Sequence, residues 1–338
     1  MDELKELKTI LMELGIPVIH KGTETTPQYT IYHFNLASIV QLDSVEKKVK
    51  FISAYIHKDI SFRKSNTAHF ALALPSHDRS VIDFTNERFK SVLAKPTFDE
   101  MNIIVGVDDQ NNTVSIDLRD MPHILIAGTT GSGKSVMVNN ILCGLLKTQL
   151  NTEYYLIDTK RVELAPYKKS KQCSVATDVQ EAIEILDDIC NKIEYRYWEM
   201  EKRELRKKPD YMSNIVVVIE ELNDLMLASK KVVEHYIVKI AQLGRACGVH
   251  LIVATQHPVV ATLTGAIKAN IGCRLALKTT SSTDSVNILG HKGAEQLKGK
   301  GDGLLKLPTE AEEIHLQCPF ISDDTIQKVI QGENLWNQ

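Results

Sequence analysis

Ile124-Leu125-Ile126-Ala127-Gly128-Thr129-Thr130-Gly131-Ser132-Gly133-Lys134-Ser135 runs from an apolar strand through a glycine-rich turn into a helix that begins around Val136-Met137-Val138. Gly128 to Ser135 fits G-x-x-x-x-G-K-[ST], the phosphate-cradling P-loop. The chemistry calls for these residue types. Glycines let the backbone curl so that successive N–H groups point inward at phosphate oxygens. The helix that follows adds unpaired N-terminal donors and the positive end of its dipole. Lys134 would put a cation on the β- and γ-phosphates, and Ser135 a hydroxyl on Mg²⁺. The same letters can form a plain Gly/Ser turn. The strand before and the helix after favour the phosphate loop, with Gly128, Thr129, Thr130, Gly131, Ser132, Gly133, Lys134, Ser135 and Val136 as candidate nucleotide contacts.

The surrounding chain is that of an ordinary water-soluble protein. Its 338 residues suffice for two or three domains, with 43% hydrophobic and 25% charged residues. No apolar run approaches the ~18–20 residues that span a bilayer. The charged, periodic start Met1-Asp2-Glu3-Leu4-Lys5-Glu6-Leu7 is not a signal peptide, so a cytoplasmic location is expected. The six cysteines form no C-x-x-C pair and the eleven histidines no H-E-x-x-H spacing. That argues against a disulfide framework and against a metal site made only of protein ligands. The net charge of −3 disfavours an open nucleic-acid surface but permits a narrow channel with concentrated positive charge.

Working outward from the loop, residues 2–15 carry Leu4, Leu7, Ile10, Leu11 and Leu14 at helical spacing. A turn is expected at Gly22 to Pro27, a strand at Tyr29 to Asn35, and a helix at Ser44 to His57. Ser61 to Arg63, Ala68 to Leu74 and Val81 to Phe84 read as further strands, with Pro75-Ser76-His77-Asp78 closing the second. Residues 1–95 are therefore expected to form a small α+β domain, with Lys95-Pro96-Thr97 as linker. Asn102 to Leu118 reads as a hairpin around Asp109-Gln110-Asn111-Asn112. From 121 onward strands (123–127, 154–158, 215–219, 249–255, 273–278) alternate with helices (134–148, 178–204, 231–247, 283–289). That alternation predicts an α/β fold, a mostly parallel sheet with helices on both faces, over residues 96–325, followed by a polar tail at 326–338. The cations Lys202, Arg203, Arg206, Lys207 and Lys208 fall at a helix C-terminus, where they suit the dipole.

A P-loop that hydrolyses its nucleotide needs acids at the end of a second apolar strand. Val216-Val217-Val218-Ile219-Glu220-Glu221 has that form. Glu220 is expected in the magnesium shell with Ser135, and Glu221 on the attacking water. The next buried strand, Val249 to Thr255, ends at Gln256, a candidate γ-phosphate sensor. Arg245, on a helix-end turn, could reach a neighbouring subunit's γ-phosphate. Arg274, inside an apolar strand, must find an anionic or carbonyl partner.

At this point the chain resembles the motor of the FtsK/SpoIIIE family of DNA translocases, a HerA/FtsK-type P-loop ATPase. Besides the P-loop, the resemblance rests on Met121-Pro122-His123, Leu156-Ile157-Asp158-Thr159-Lys160, Thr177-Asp178 and Glu194-Tyr195-Arg196-Tyr197. It continues through Ala241-Gln242-Leu243-Gly244-Arg245-Ala246-Cys247-Gly248-Val249-His250 and Ala254-Thr255-Gln256-His257-Pro258, then Thr264 to Ile271, Gly293 to Leu297, and Gly301-Asp302-Gly303. These ordered motifs cover residues 121–303, and residues 27–120 resemble more weakly the family's preceding small α/β domain. The resemblance implies a RecA-like ATPase fold and a ring, usually a hexamer, with double-stranded DNA in its channel and ATP between subunits. Lys134, Ser135, Glu220 and Glu221 would act in cis and Arg245 in trans as an arginine finger. Further partners would be a membrane, relaxosome or division protein.

The chain departs from the family's pattern in three places. The first strand-end acid, usually Asp, is Glu220, which implies slower turnover; a nucleotide-dependent binding module with weak hydrolysis is one reading of it. His257 replaces an arginine, and Ser282 and Val286 replace a lysine and an arginine of a DNA-contacting pore loop. Fewer cations imply a shallower salt dependence of DNA binding. No membrane-spanning segment and no winged-helix domain are read in the chain. The expectation is therefore a soluble homologue, as from a plasmid, phage or integrative element. The competing expectation is a coupling or secretion ATPase that engages a protein partner.

Overall fold

The computed structural model describes residues 3–26, 29–37, 42–58, 60–64, 69–76, 81–93, 100–310, 312–333 and 335–336. The linker expected at Lys95-Pro96-Thr97, and the ends of the turns expected at Pro27 and at His77-Asp78, lie outside the described residues. The chain divides into two compact units, residues 1–81 with 109–112, and residues 82–108 with 113–338.

In the smaller unit the order is α1 (Glu3–Glu13), β1 (Val18–Thr25), β2 (Tyr29–Leu36), α2 (Leu42–Ile56), β3 (Ser61–Lys64) and β4 (His69–Pro75). The strands form an antiparallel sheet in the order β1-β2-β4-β3. Leu7, Ile10 and Leu11 of α1 and Val45, Val49 and Ile52 of α2 bury the apolar stripe that helical spacing gives them against Phe34, Phe70, Leu72 and Leu74. The stretch from Gly22, expected as a turn, is instead the second half of β1, with a register shift between His20 and Gly22. Its alternation of half-buried and exposed residues follows the strand period through polar letters, which hid it.

The larger unit contains α3 (Glu87–Leu93), β5 (Asn102–Asp108), β6 (Thr113–Asp117), β7 (His123–Ala127), α4 (Lys134–Thr148), β8 (Thr152–Ile157), β9 (Cys173–Ala176) and α5 (Val179–Lys202). It continues with β10 (Asn214–Ile219), α6 (Leu222–Cys247), β11 (Val249–Thr255), α7 (Gly265–Asn270), β12 (Cys273–Leu277), α8 (Ser282–Leu289), β13 (Asp302–Lys306), β14 (Ile314–Gln317) and α9 (Asp323–Ile330). One ten-stranded sheet runs β6-β5-β14-β13-β12-β7-β11-β10-β8-β9. From β12 to β9 all neighbours are parallel, and from β12 to β6 they are antiparallel.

The unbroken apolar runs of β7, β10 and β11 follow from burial on both faces. Ile124, Ile126, Val216, Val218, Ile252 and Ala254 face α4, where Met137, Ile141 and Leu145 pack. Leu125, Ile215, Val217, Ile219, Leu251 and Val253 face α5 and α6, through Leu186, Ile189, Ile193, Leu225, Ile237 and Ile240.

Several expectations are corrected here. Val81 to Phe84 is no strand: it makes a single bridge, Asp83 with Phe320, and Ile82, Phe84, Phe89 and Leu93 enter the larger unit's core. Residues 82–93 therefore pack with the larger unit, not the smaller. Residues 326–338 are not simply a polar tail. Ile326 and Val329 bury the inner stripe of α9, and the Trp336 indole N–H donates to the Thr85 carbonyl at 3.0 Å. The helix expected from 231 begins at Leu222, with a non-helical break at Ser229.

Candidate functional site

Parallel strands that end together bring their following loops together, and three such loops build the site. In the register of the sheet Ala127 lies beside Thr255, and Ile219 beside Val253. Glu220 and Glu221 therefore emerge next to the loop between β7 and α4. That loop closes on glycine geometry. Gly131 (φ +76°) and Gly133 (φ +103°) adopt left-handed conformations. A Cβ on Gly128 would lie 2.7 Å from Ser132 Oγ and 2.8 Å from Leu277 Cβ. Ser132 is 1% exposed, and its hydroxyl has no hydrogen-bond partner.

Lys134 opens α4 and is 3% exposed, turned inward to Glu220, itself 1% exposed. Its Nζ donates to the Glu220 carbonyl at 2.7 Å and to Oε1 at 2.5 Å. Ser135 Oγ donates to the same Oε1 at 3.0 Å. Burial raises the pKa of the Glu220 carboxyl, and Lys134 offsets part of that shift. Lys134 is thus the buried cation that most favours the charged form of Glu220, and a phosphate would also claim it.

Glu221 is held differently. Thr255 Oγ1 donates to its Oε1 at 2.7 Å, and the Gln256 N–H donates to Oε2 at 3.0 Å. Glu221 also caps α6, accepting from the Asn223 N–H at 3.3 Å. Lys160 Nζ stands 3.7 Å from its other oxygen. Gln256 turns its side chain to the loop, where Thr130 Oγ1 donates to Oε1 at 2.9 Å. The structure thus brings Lys134, Ser135, Glu220, Glu221 and Gln256 together. A cleft of about 290 Å³ lies over the loop, bounded also by Val136, Asn139 and Gln256 and by Ile321 and Ile326 from the β14–α9 end of the unit.

Arg245 and Arg274 are not part of this cluster. Arg245 lies at the end of α6, 65% exposed, with Asp120 at 3.9 Å as its one ionic neighbour among the described residues. The helix end that displays it is stapled to α5. Arg196 Nη1 donates to the Cys247 carbonyl at 2.7 Å and Tyr197 OH to the Leu243 carbonyl at 3.0 Å. A Cβ on Gly244 would stand 2.4 Å from the Val249 carbonyl oxygen, so the helix meets β11 backbone to backbone there. The Arg274 guanidinium donates to the carbonyls of Ile271 and Ile288, each at 3.0 Å, and of Lys268. Its partners are carbonyls that tie α7 and α8 to β12.

Some site residues were not read in the sequence. Thr255 and Lys160 position Glu221, as above. Asn139 Nδ2 donates to the Ser135 carbonyl at 2.9 Å, and its Oδ1 accepts from Tyr167 OH at 2.7 Å, steadying the first turn of α4. The signal for this was Asn139-Asn140 inside an otherwise apolar helix. The segment expected to contact DNA is the first turn of α8, where Ser281 and Asp284 form a capping box, with Val286 exposed.

The donor set fits a magnesium nucleotide. Mg²⁺ takes hard oxygen ligands and keeps several from phosphate and water. Ser135 Oγ and Glu220 Oε1 would supply the protein's share, and among the described residues no group of three or more His, Cys, Asp or Glu forms a metal cage. The unpartnered Ser132 hydroxyl and the glycine-built cradle fit the phosphates. A strand, this loop, this helix and acids at the end of a parallel strand next but one in the sheet define a P-loop ATPase fold.

The chain belongs to the FtsK/SpoIIIE family, whose profile matches residues 87–214 and 207–260. The "DNA translocase FtsK" of Chlorobaculum tepidum is 32% identical over 97% of this chain and 44% of its own length. That of Leptospira interrogans is 40% identical over 69% of this chain and 26% of its own. The chain thus spans less than half the length of these relatives. Among solved structures, the pCW3 conjugation coupling protein TcpA, as a monomer with ATPγS, aligns with a TM-score of 0.69 at 22% identity, over 97% of this chain and 98% of that one. The cytoplasmic domain of the Thermomonospora curvata type VII secretion ATPase EccC gives 0.63 at 19% identity, over 77% and 36%. At these identities the likeness speaks for the fold. No helix among the described residues is long and apolar enough to cross a membrane.

Proposed function

We propose that the chain is the ATP-hydrolysing motor of a double-stranded DNA translocase that works as a ring, usually a hexamer, with duplex DNA in its channel. The observation that carries this is the strand-end cluster of Lys134, Ser135, Glu220, Glu221 and Gln256 in a member of the FtsK/SpoIIIE family. The relatives' name supports DNA as the cargo.

ATP binds with its phosphates on the N–H groups of residues 129–136. Lys134 would then leave Glu220 for the β- and γ-phosphate oxygens, and Glu220 and Ser135 would be free to hold the metal shell. Bound Mg²⁺ supplies charge neutralisation on the phosphates. Glu221, fixed by Thr255 and the Gln256 N–H, orients and accepts a proton from the attacking water. Gln256 exchanges Thr130 for the γ-phosphate and reports its loss. The exposed Arg245 completes the site of a neighbouring subunit, which its 65% exposure and its long 3.9 Å contact with Asp120 support. Arg274 acts indirectly, by holding α7 and α8 on β12. The first turn of α8 and His257 face the DNA backbone with few cations, so log K against log salt should be shallow.

The test is the ATPase rate with and without long duplex DNA, with the mass in solution measured in ATP. Stimulation by DNA in an oligomer supports the motor. Stimulation only by a protein partner would move the chain to the secretion-type reading.

A further inference from the structure

Beside the phosphate loop lies a turn with unusual backbone. Gly299 (φ +85°), Lys300 (φ +53°) and Gly301 (φ +88°) are three successive left-handed residues, and Lys300 is a non-glycine in that region. Such a run persists only where its surroundings hold it. Here they do. The Gln317 side-chain N–H donates to the Lys300 carbonyl at 2.8 Å, and the Cys318 N–H to the Gly301 carbonyl at 2.7 Å. The buried Asp302 accepts from the Lys298 N–H at 2.7 Å and pairs with His315 at 2.8 Å.

The turn spends its own donors on the phosphate loop. The Gly301 N–H donates to the Ser132 carbonyl at 2.7 Å, and the Lys300 N–H to the Gly131 carbonyl at 3.3 Å. In a trans peptide the C=O and the following N–H point in opposite directions. Drawing the Ser132 carbonyl toward Gly301 therefore turns the Gly133 N–H the other way, away from the turn. The fit leaves no slack: a Cβ on Gly133 would lie 2.7 Å from the Gly301 nitrogen, and one on Gly301 2.8 Å from Gln317 Nε2 and 3.1 Å from the Cys318 carbonyl oxygen.

We infer that the 299–301 turn is a positioning clamp for the phosphate cradle, with Gly301 orienting the Gly133 peptide toward the bound triphosphate and Gln317 locking the turn. This rests on the proposed nucleotide site. The clamp enters from β13 and β14, strands on the antiparallel side of β12, so it is separate from the Glu220–Glu221 machinery. It explains why a Gly-Lys-Gly-Asp-Gly run stands so far along the chain from the loop it serves.

The experiment titrates the full chain with ATPγS and with adenosine and records melting of the nucleotide-free protein. Gly301→Ala should weaken ATPγS about tenfold or more, the loss of one hydrogen bond to a charged group, while adenosine binding is unchanged. Gly303→Ala is the control: it lies two residues on, inside β13, where its Cβ would meet the Leu275 and Leu277 side chains at 3.1 Å and the Ala276 carbonyl oxygen at 3.6 Å, so its ATPγS affinity should stay at wild type. If Gly301→Ala does not fold, Gln317→Met tests the same clamp through the Lys300 carbonyl, with ATPγS weakened about threefold. Wild-type ATPγS affinity in the folded clamp variant overturns the clamp. Equal weakening of ATPγS and adenosine, or the same loss in Gly303→Ala, also overturns it. A wild-type chain that binds no ATPγS would instead overturn the nucleotide site itself.

Discussion

Replacing Lys134 by methionine strips the counter-ion from a carboxylate that is 1% exposed. Breaking a buried ion pair from one side costs about 3–5 kcal/mol. Ser135 still donates to Glu220 at 3.0 Å, so the lower end, about 3 kcal/mol, is expected in the nucleotide-free protein. That is a large part of a typical domain stability of about 5–15 kcal/mol. The loss should also depend on pH. Burial already raises the Glu220 pKa, and Lys134 is the first cause that opposes it, so removing Lys134 raises it further. A carboxyl whose folded pKa is raised adds stability below its unfolded value near 4.5 and loses it as pH rises through the folded pKa. Lys134→Met should therefore be nearly tolerated at pH 5 and strongly destabilised at pH 8, relative to wild type at each pH. Glu220→Gln added to it should recover most of the loss at pH 8. Urea midpoints read by tryptophan fluorescence suit this, because both tryptophans, Trp198 and Trp336, lie in the larger unit. Equal losses at the two pH values, with no recovery in the double variant, would refute a charged, buried Lys134–Glu220 pair.

Glu221→Gln should bind ATP with wild-type affinity but hydrolyse it about 10²–10⁴-fold more slowly, measured by phosphate release under single-turnover conditions. Arg245→Ala should lower hydrolysis about 10³-fold or more without changing nucleotide affinity in the monomer, and mixing it with Lys134→Met subunits should restore part of the rate. Burial holds His250 down at about 4 and His123 at about 3. Because the unfolded histidines take up protons near 6.5, stability should fall as pH drops from about 6.5 towards 4, by up to roughly 3 kcal/mol for His250 alone. Acid titration of the urea midpoint checks this, and His250→Phe should flatten the curve.

The parallel core was legible because β7, β10 and β11 are buried on both faces and write that burial as unbroken apolar runs. The P-loop and Glu220-Glu221 were legible because each combines fixed residue types with a strand end. What the sequence hid was written in contacts across the chain. β13 begins Asp302-Gly303, polar and flexible letters, and is a strand because it pairs with β12 on one side and β14 on the other. β1 is polar from His20 onward and pairs with β2 all the same. The buried stripe of α9 is short and sits in polar surroundings. Within the site, Thr255 and Lys160 became visible only once the registers of β10 with β11 and with β8 set Glu221 beside them. Arg274 shows the converse. Its burial was readable, but only the fold reveals that its partners are three carbonyls.

The central claim is that this P-loop site drives movement on duplex DNA. The most direct measurement is steady-state ATP hydrolysis by the purified chain, with and without long duplex DNA, for wild type and Glu221→Gln side by side. A motor should show hydrolysis that rises several-fold with DNA, weakens with salt and disappears in the variant. Hydrolysis indifferent to DNA at every salt concentration, or a rate unchanged by Glu221→Gln, would contradict it.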